Sequence, residues 1–200
     1  MLPLIYTNTV TTFTFTIACL IWLLPETIGM FRQMATVSRK AAVVQDRGSL
    51  VILVGLQWAG IVLNFLLPWL FPSARILPHR TAVFLLGILC MIAGVGLRWF
   101  AIWKLGRYFT RDLAVSLDQQ VVQSGPYRLI RHPAYSGTFL TMLGLGLAMT
   151  NWASLISLLL CVFLGHFYRV RIEEEALIHY IGQPYIDYMQ HTKRFIPLVF

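Results

Sequence analysis

Five stretches of the chain are apolar almost without interruption, at 9 to 31, 49 to 71, 81 to 103, 135 to 150 and 152 to 168. A bilayer core about 30 Å thick is crossed by roughly 20 residues of α-helix. The pattern therefore predicts five membrane helices separated by polar or proline-bearing segments. The fourth run is short, so it is expected to tilt or to cross incompletely. Thr150-Asn151-Trp152 carries the turn chemistry between the last two runs, which predicts a tight antiparallel hairpin.

Composition agrees with the pattern. Hydrophobic residues make up 58% of the 200 and charged residues only 12%, which excludes an ordinary soluble domain. The opening apolar run has neither a basic leader nor a small-residue cleavage site, so it reads as a retained helix. No repeat and no Gly/Ser-rich linker divides the chain, which predicts one membrane-embedded domain over 1 to 200. The predicted fold class is all-α: a polytopic integral membrane protein with about five transmembrane helices and a C-terminal cytoplasmic amphipathic helix.

Charge sets the orientation. The formal net charge is +8, but the basic residues are scattered between apolar spans and form no stripe interleaved with aromatics, so nucleic acid is not the expected partner. Lys and Arg cluster after the first run, after the third and at the end, while only Arg75 and Arg80 fall on the other side. The positive-inside rule then places the N-terminus outside and the C-terminus in the cytoplasm, in accord with an odd number of spans. Arg98, beside Trp99 and Trp103, is expected to snorkel toward the headgroups. Glu26, the one acid within a span, follows Pro25 near the inner end of the first helix. Cys19, Cys90 and Cys161 have neither disulfide nor metal-ligand spacing and read as small core side chains.

Side chains suited to chemistry concentrate in two segments flanking the last helix pair, 119 to 137 and 169 to 188. An antiparallel pair brings His132 and Glu173 to the same membrane surface despite about 40 intervening residues. Pro133 suits the first turn of the fourth helix. The amides and positive dipole end of that helix, with Arg131 and His132 beside them, would suit an anionic ligand group. Gly125-Pro126 is a turn at which backbone can approach a ligand. Tyr127 and Tyr135 offer amphipathic rings. Arg169 and Glu173 share one helix face, and Arg171 and Glu175 another. The helix is expected to continue past the three acids, with Glu174, Leu177, Ile178 and Ile181 on a mostly apolar side, and to stop at Gly182-Gln183-Pro184. Taken alone, these features also fit a basic membrane boundary and a solvated helix extension.

The compound pattern G-x-Y-x-x-x-R-H-P-x-Y-x-G, then R-x-x-x-E-E-x-x-L and G-x-x-Y-x-x-Y, is more specific than any element of it. It resembles the signature of the isoprenylcysteine carboxyl methyltransferase family over roughly the last 90 residues. The resemblance implies an S-adenosylmethionine-dependent methyltransferase, with S-adenosylhomocysteine as product, in which residues 104 to 200 carry the cofactor and active site. It assigns cofactor contacts to Gln119, Gln120, Val121, Val122, Gly125, Tyr127, His132, Pro133, Ala134, Tyr135, Glu173 and Glu174. It makes Arg169 the cation for the acceptor's carboxylate and Arg169 and Glu173 the catalytic pair, with no metal. The implied partners are a lipophilic or prenylated acceptor and membrane lipids. Family members often carry histidine at the position of Gln119.

Three other readings share features with this one. A phospholipid N-methyltransferase has a similar motif set and length, but its amine nucleophile gains nothing obvious from Arg169. A nicotinamide-dependent, sterol-type reductase shares an R-H-P-x-Y element in a longer chain. A non-catalytic membrane scaffold would leave both polar segments as interface decoration.

Overall fold

The computed structural model describes residues 3 to 35, 41 to 43, 46 to 76, 79 to 110, 114 to 116 and 120 to 196. Its helices are α1 (Thr9–Ala35), α2 (Ser49–Leu70), α3 (Arg80–Leu105), α4 (Pro133–Ala148), α5 (Trp152–Ile181) and α6 (Gln183–His191). Two three-residue strands, β1 (Ala41–Val43) and β2 (Ala114–Ser116), pair antiparallel between the loops that follow α1 and α3, a small addition to the expected all-α fold.

Local chemistry explains where the helices start and stop. The Asn8 side chain accepts from the Val10 amide at 2.9 Å to begin α1. Asp46 Oδ2 accepts from the Leu50 amide at 3.0 Å at the head of α2. Pro133 takes the first position of α4, as expected, because its missing N–H is one that helix would leave unpaired. The Asn151 side chain caps α5 by accepting from the Ser154 amide at 3.2 Å. The Asn151 amide group also donates to the Phe71 carbonyl at 3.0 Å, fastening the hairpin turn to the end of α2. Gly182, at φ 74°, ends α5 in a conformation that disfavours a side chain, and Pro184 opens α6.

Four of the described helical segments are long and apolar enough to cross a bilayer: Thr9–Gly29, Ser49–Leu70, Arg80–Tyr108 and Trp152–Ile181. The molecule is a multi-pass membrane protein. The predicted fourth span is a helix of 16 residues, about 24 Å at 1.5 Å per residue, shorter than the hydrocarbon core. By contrast α5 has 30 residues, about 45 Å, longer than that core. Side chains such as Val10, Phe13, Val51, Trp58 and Leu89 are exposed, as a surface facing lipid requires. The core lies between the helices, around Phe84, Met91, Met142, Leu145, Met149 and Leu158.

The tightest packing joins α3 to α4 through glycines seven apart on each helix. A Cβ on Gly94 would sit 2.6 Å from the Gly137 carbonyl oxygen, and one on Gly137 would sit 2.6 Å from the Arg98 amide nitrogen. One turn pair along, a Cβ on Gly87 would lie 2.7 Å from both Gly144 O and Ala148 N. Only hydrogen fits there, so the two backbones touch.

Arg98 does not snorkel. Its Nε and Nη2 bind Glu26 Oε1 and Oε2 at 2.5 and 3.2 Å, and its Nη1 donates to Thr138 Oγ1 at 3.2 Å. Both side chains are about four-fifths buried, at 17% and 21% exposure. A buried guanidinium needs a carboxylate more than it needs the interface, and Glu26 on α1 supplies it.

Candidate active site

The three consecutive acids of α5 point in three directions, because each helical residue is rotated about 100° from the last. Glu173 is half-buried and faces α4, where its Oε2 accepts from the Tyr135 hydroxyl at 2.7 Å. Glu174 is 3% exposed and turns toward the C-terminal segment. Glu175 is exposed and pairs at 3.3 Å with Arg47, itself exposed. The two predicted faces thus separate: Arg169 and Glu173 look inward, while Arg171 and Glu175 are exposed.

A cleft opens where the end of α3, residues 120 to 122, the start of α4 and the second half of α5 meet. It encloses about 910 Å³ of space, open solvent at its mouth included. Of the predicted site residues, Gln120, Val121, Val122, Tyr127, His132, Ala134, Tyr135, Arg169 and Glu173 line it. His132 Nδ1 lies 4.0 Å from Glu173 Oε1, and the His132 ring stacks on Tyr135 with centroids 5.7 Å apart. Burial pushes the Tyr127 hydroxyl above its usual range, with the nearby Glu173 charge adding to the effect. It is a neutral donor on an apolar wall.

Three predicted residues stand elsewhere. Gly125, at φ 60°, forms a turn whose Cβ position faces the Lys104 stem, and Pro133 serves the helix start. Glu174 is the centre of an ion cluster instead of a cleft residue. Its Oε1 accepts from Arg131 Nε at 2.9 Å and lies 3.3 Å from His132 Nε2, and its Oε2 accepts from Arg194 Nε at 3.0 Å. Gln119 lies outside the described residues.

The residues before α4 are fastened to the C-terminal segment. The Arg131 and His132 amides donate to the Lys193 and Arg194 carbonyls at 2.7 and 3.1 Å. The Ser136 hydroxyl donates to the Phe195 carbonyl at 2.6 Å. The chain after α6 therefore runs alongside Arg131 and His132 and takes up those groups. Arg131 Nη1 also donates to the Met189 and Thr192 carbonyls, and Tyr188 Oη to the Tyr127 carbonyl at 2.7 Å. Burial raises the Tyr188 hydroxyl to about 12, so it remains a donor at neutral pH.

A sequence model of the family described as phospholipid methyltransferase matches residues 82–183, half the chain and most of this cleft. The chain belongs to the phospholipid methyltransferase family. It is 34% identical over 118 residues to a protein-S-isoprenylcysteine O-methyltransferase of Schizosaccharomyces pombe, covering 57% of this chain and 48% of that one. It is 30% identical over 115 residues to protein-S-isoprenylcysteine O-methyltransferase B of Arabidopsis thaliana, covering 56% and 58%. With the human protein-S-isoprenylcysteine O-methyltransferase the identity is 32% over 117 residues, covering 56% and 40%. The solved structure of a eukaryotic intramembrane Ras methyltransferase, isoprenylcysteine carboxyl methyltransferase, superposes with a TM-score of 0.60 at 27% identity, covering 73% of this chain and 52% of that one. The match spans a little over half the length, or less, of these relatives.

The part of this methyltransferase-family cleft that sequence reasoning missed comes from distant elements. Leu105, Tyr108, Phe109 and Thr110 at the end of α3 line it, as do Leu177, Ile181, Tyr185 and Tyr188. The motif G-x-x-Y-x-x-Y contains the last two tyrosines, but their inward direction needs the docking of α6. Asp46 and Ser49 were also missed. Arg169 is 2% exposed, and its Nη1 donates to Asp46 Oδ1 and, at 2.7 Å, to Ser49 Oγ. Asp46-x-x-Ser49 before an apolar run is a readable helix-start signal; its reach to Arg169 is not.

Proposed function

We propose that this protein transfers a methyl group from S-adenosylmethionine to the carboxylate of a lipophilic, prenylcysteine-like acceptor at the cytoplasmic membrane face. The observation that carries the reading is the convergence of Tyr135, Arg169 and Glu173 on one wall of a cleft bordered by apolar and aromatic side chains. The residues fit the cofactor. Glu173 is a carboxylate for its ammonium group, residues 120 to 122 offer backbone groups, and Tyr127, Val122 and Leu177 form an apolar wall for a purine. When bound, the cofactor supplies an electrophilic sulfonium methyl.

Tyr135 holds Glu173 in one orientation, and His132 packs behind both. Arg169 holds the acceptor's carboxylate by its planar fork. A carboxyl group with pKa about 4 is already ionised at neutral pH, so no general base is required. The chain's contribution is alignment and exclusion of water, which can supply most of such an acceleration. The orientation, with the N-terminus outside and the cleft in the cytoplasm, rests on the distribution of Lys and Arg.

Titration of purified protein with S-adenosylhomocysteine tests the cofactor assignment: saturable binding is expected, lost in Glu173→Gln and His132→Ala. Labelled methyl incorporation into an S-farnesylcysteine derivative tests the acceptor. The description of the matching family model favours a second reading, a phospholipid N-methyltransferase. Labelling of a phosphatidylethanolamine vesicle with no labelling of the farnesylated acid would establish that reading and overturn the first.

A further inference from the structure

Arg169 has a built-in anion. Its Nη1 is bound by Asp46 and Ser49, which stand 123 and 120 positions earlier in the chain, outside the segment that the family model matches. Asp46 is itself held in place: its Oδ1 accepts from the Ser49 hydroxyl at 2.6 Å, its Oδ2 from the Leu50 amide, and its carbonyl from the Ser49 amide at 2.9 Å. Burial works to raise the Asp46 carboxyl, but the Ser49 hydroxyl, the Leu50 amide and the Arg169 charge outweigh it and hold it below the usual range. Asp46 is an anion at neutral pH. Arg169 also hydrogen-bonds the Tyr135 side chain and lines the cleft.

Methyl transfer to a carboxylate changes the charge that Arg169 faces. The acceptor oxygen forms a bond to the methyl carbon, the S–CH3 bond breaks, and its electron pair stays on the donor's sulfur. An anion and a sulfonium become a neutral ester and a neutral thioether. Without Asp46, a guanidinium at 2% exposure would lose a paired anion at the end of every turnover, which is strongly unfavourable.

We propose that Asp46 is the standing counter-ion of Arg169, a positioning residue that balances the guanidinium whenever no acceptor acid is bound and so sets how tightly an acid acceptor is held. This rests on the reading of Arg169 as the acceptor's cation. Without Asp46, Arg169 would grip the acid more strongly. The acceptor's charge is partly spent in the transition state, so the gain would be larger in the ground state, and KM and kcat would fall together.

Asp46→Asn tests this, because it keeps the side chain's shape and removes its charge, with the one amide oxygen left to accept either from Leu50, as Oδ2 does, or from Arg169 and Ser49, as Oδ1 does. Full-length protein loaded with S-adenosylhomocysteine is titrated with an N-acetylated S-farnesylcysteine and, separately, with its methyl ester. The expected result is a Kd for the acid lowered on the order of tenfold, a Kd for the ester changed less than about twofold, and unchanged S-adenosylhomocysteine affinity. In turnover, KM and kcat fall by similar factors, and Asp46→Glu restores wild-type behaviour. Acid affinity that is unchanged or weaker while S-adenosylhomocysteine still binds overturns the proposal, as does an equal shift for acid and ester. Should Asp46→Asn lose S-adenosylhomocysteine binding, Ser49→Ala, which loosens the same pair, must show the acid-selective tightening or the proposal falls. A wild-type protein that binds S-adenosylhomocysteine but neither farnesylated ligand overturns the acceptor reading, and this inference with it.

Discussion

Tyr135 and Glu173, 38 residues apart, are joined by a hydrogen bond of 2.7 Å from the tyrosine hydroxyl to the carboxylate. The bond ties α4 to α5 at the mouth of the cleft and fixes which oxygen of Glu173 remains available. Tyr135→Phe should leave the fold intact but weaken S-adenosylhomocysteine binding by roughly tenfold or more, the worth of a hydrogen bond to a charged group. Isothermal titration of the two proteins measures it, and equal affinities would remove Tyr135 from the site.

Glu174 is expected to govern stability more than chemistry. Its substitution by Gln leaves Arg131, 9% exposed at its side chain, with a neutral partner, a loss of about 3–5 kcal/mol for a buried pair broken on one side. Thermal unfolding in detergent should show a lowered Tm. Limited proteolysis should cut near α6 in the variant first, because Arg131 also binds the Met189 and Thr192 carbonyls.

The Glu26–Arg98 pair should behave as a unit. Glu26→Gln or Arg98→Met alone is expected to cost about 3–5 kcal/mol, and the two together clearly less than the sum. A double-mutant cycle on thermal unfolding reads the coupling; strict additivity would mean that the pair contributes nothing specific.

Gly94→Val should prevent the close approach of α3 to α4, since even a Cβ meets the Gly137 carbonyl at 2.6 Å, and against backbone. Overpacking of this kind costs about 1–3 kcal/mol or more. Gly96→Ala is the control: nothing lies within 4 Å of its added Cβ, so it should be tolerated. The comparison is the yield of monodisperse protein after extraction.

Asp46 gives the acid limb of stability a definite sign. Its folded pKa lies below the unfolded value of about 3.9 because Ser49, Leu50 and Arg169 outweigh burial. Its contribution is present above that value and is lost as pH falls through the lower, folded one. The Tm difference between wild type and Asp46→Asn should therefore narrow below about pH 4; a gap that widened there would reverse the assignment.

Much of this molecule was legible residue by residue. Membrane residence, the helix boundaries at Pro133 and Gly182, the hairpin turn at Asn151 and the helix face shared by Arg169 and Glu173 all follow from hydropathy, cap chemistry and the 3.6-residue period, which are local properties of a chain. The shortness of the fourth run was legible too, and α4 is a helix of 16 residues. Asp46 beside Arg169, Glu26 beside Arg98, and the fastening of Arg131 and His132 to Lys193 and Arg194 were decided by tertiary structure alone. These partners lie between 62 and 123 residues apart. Nothing in the local pattern states the rotation of one helix about its axis against another, and that rotation selects which acid of three faces the cleft, which is buried among cations and which meets water.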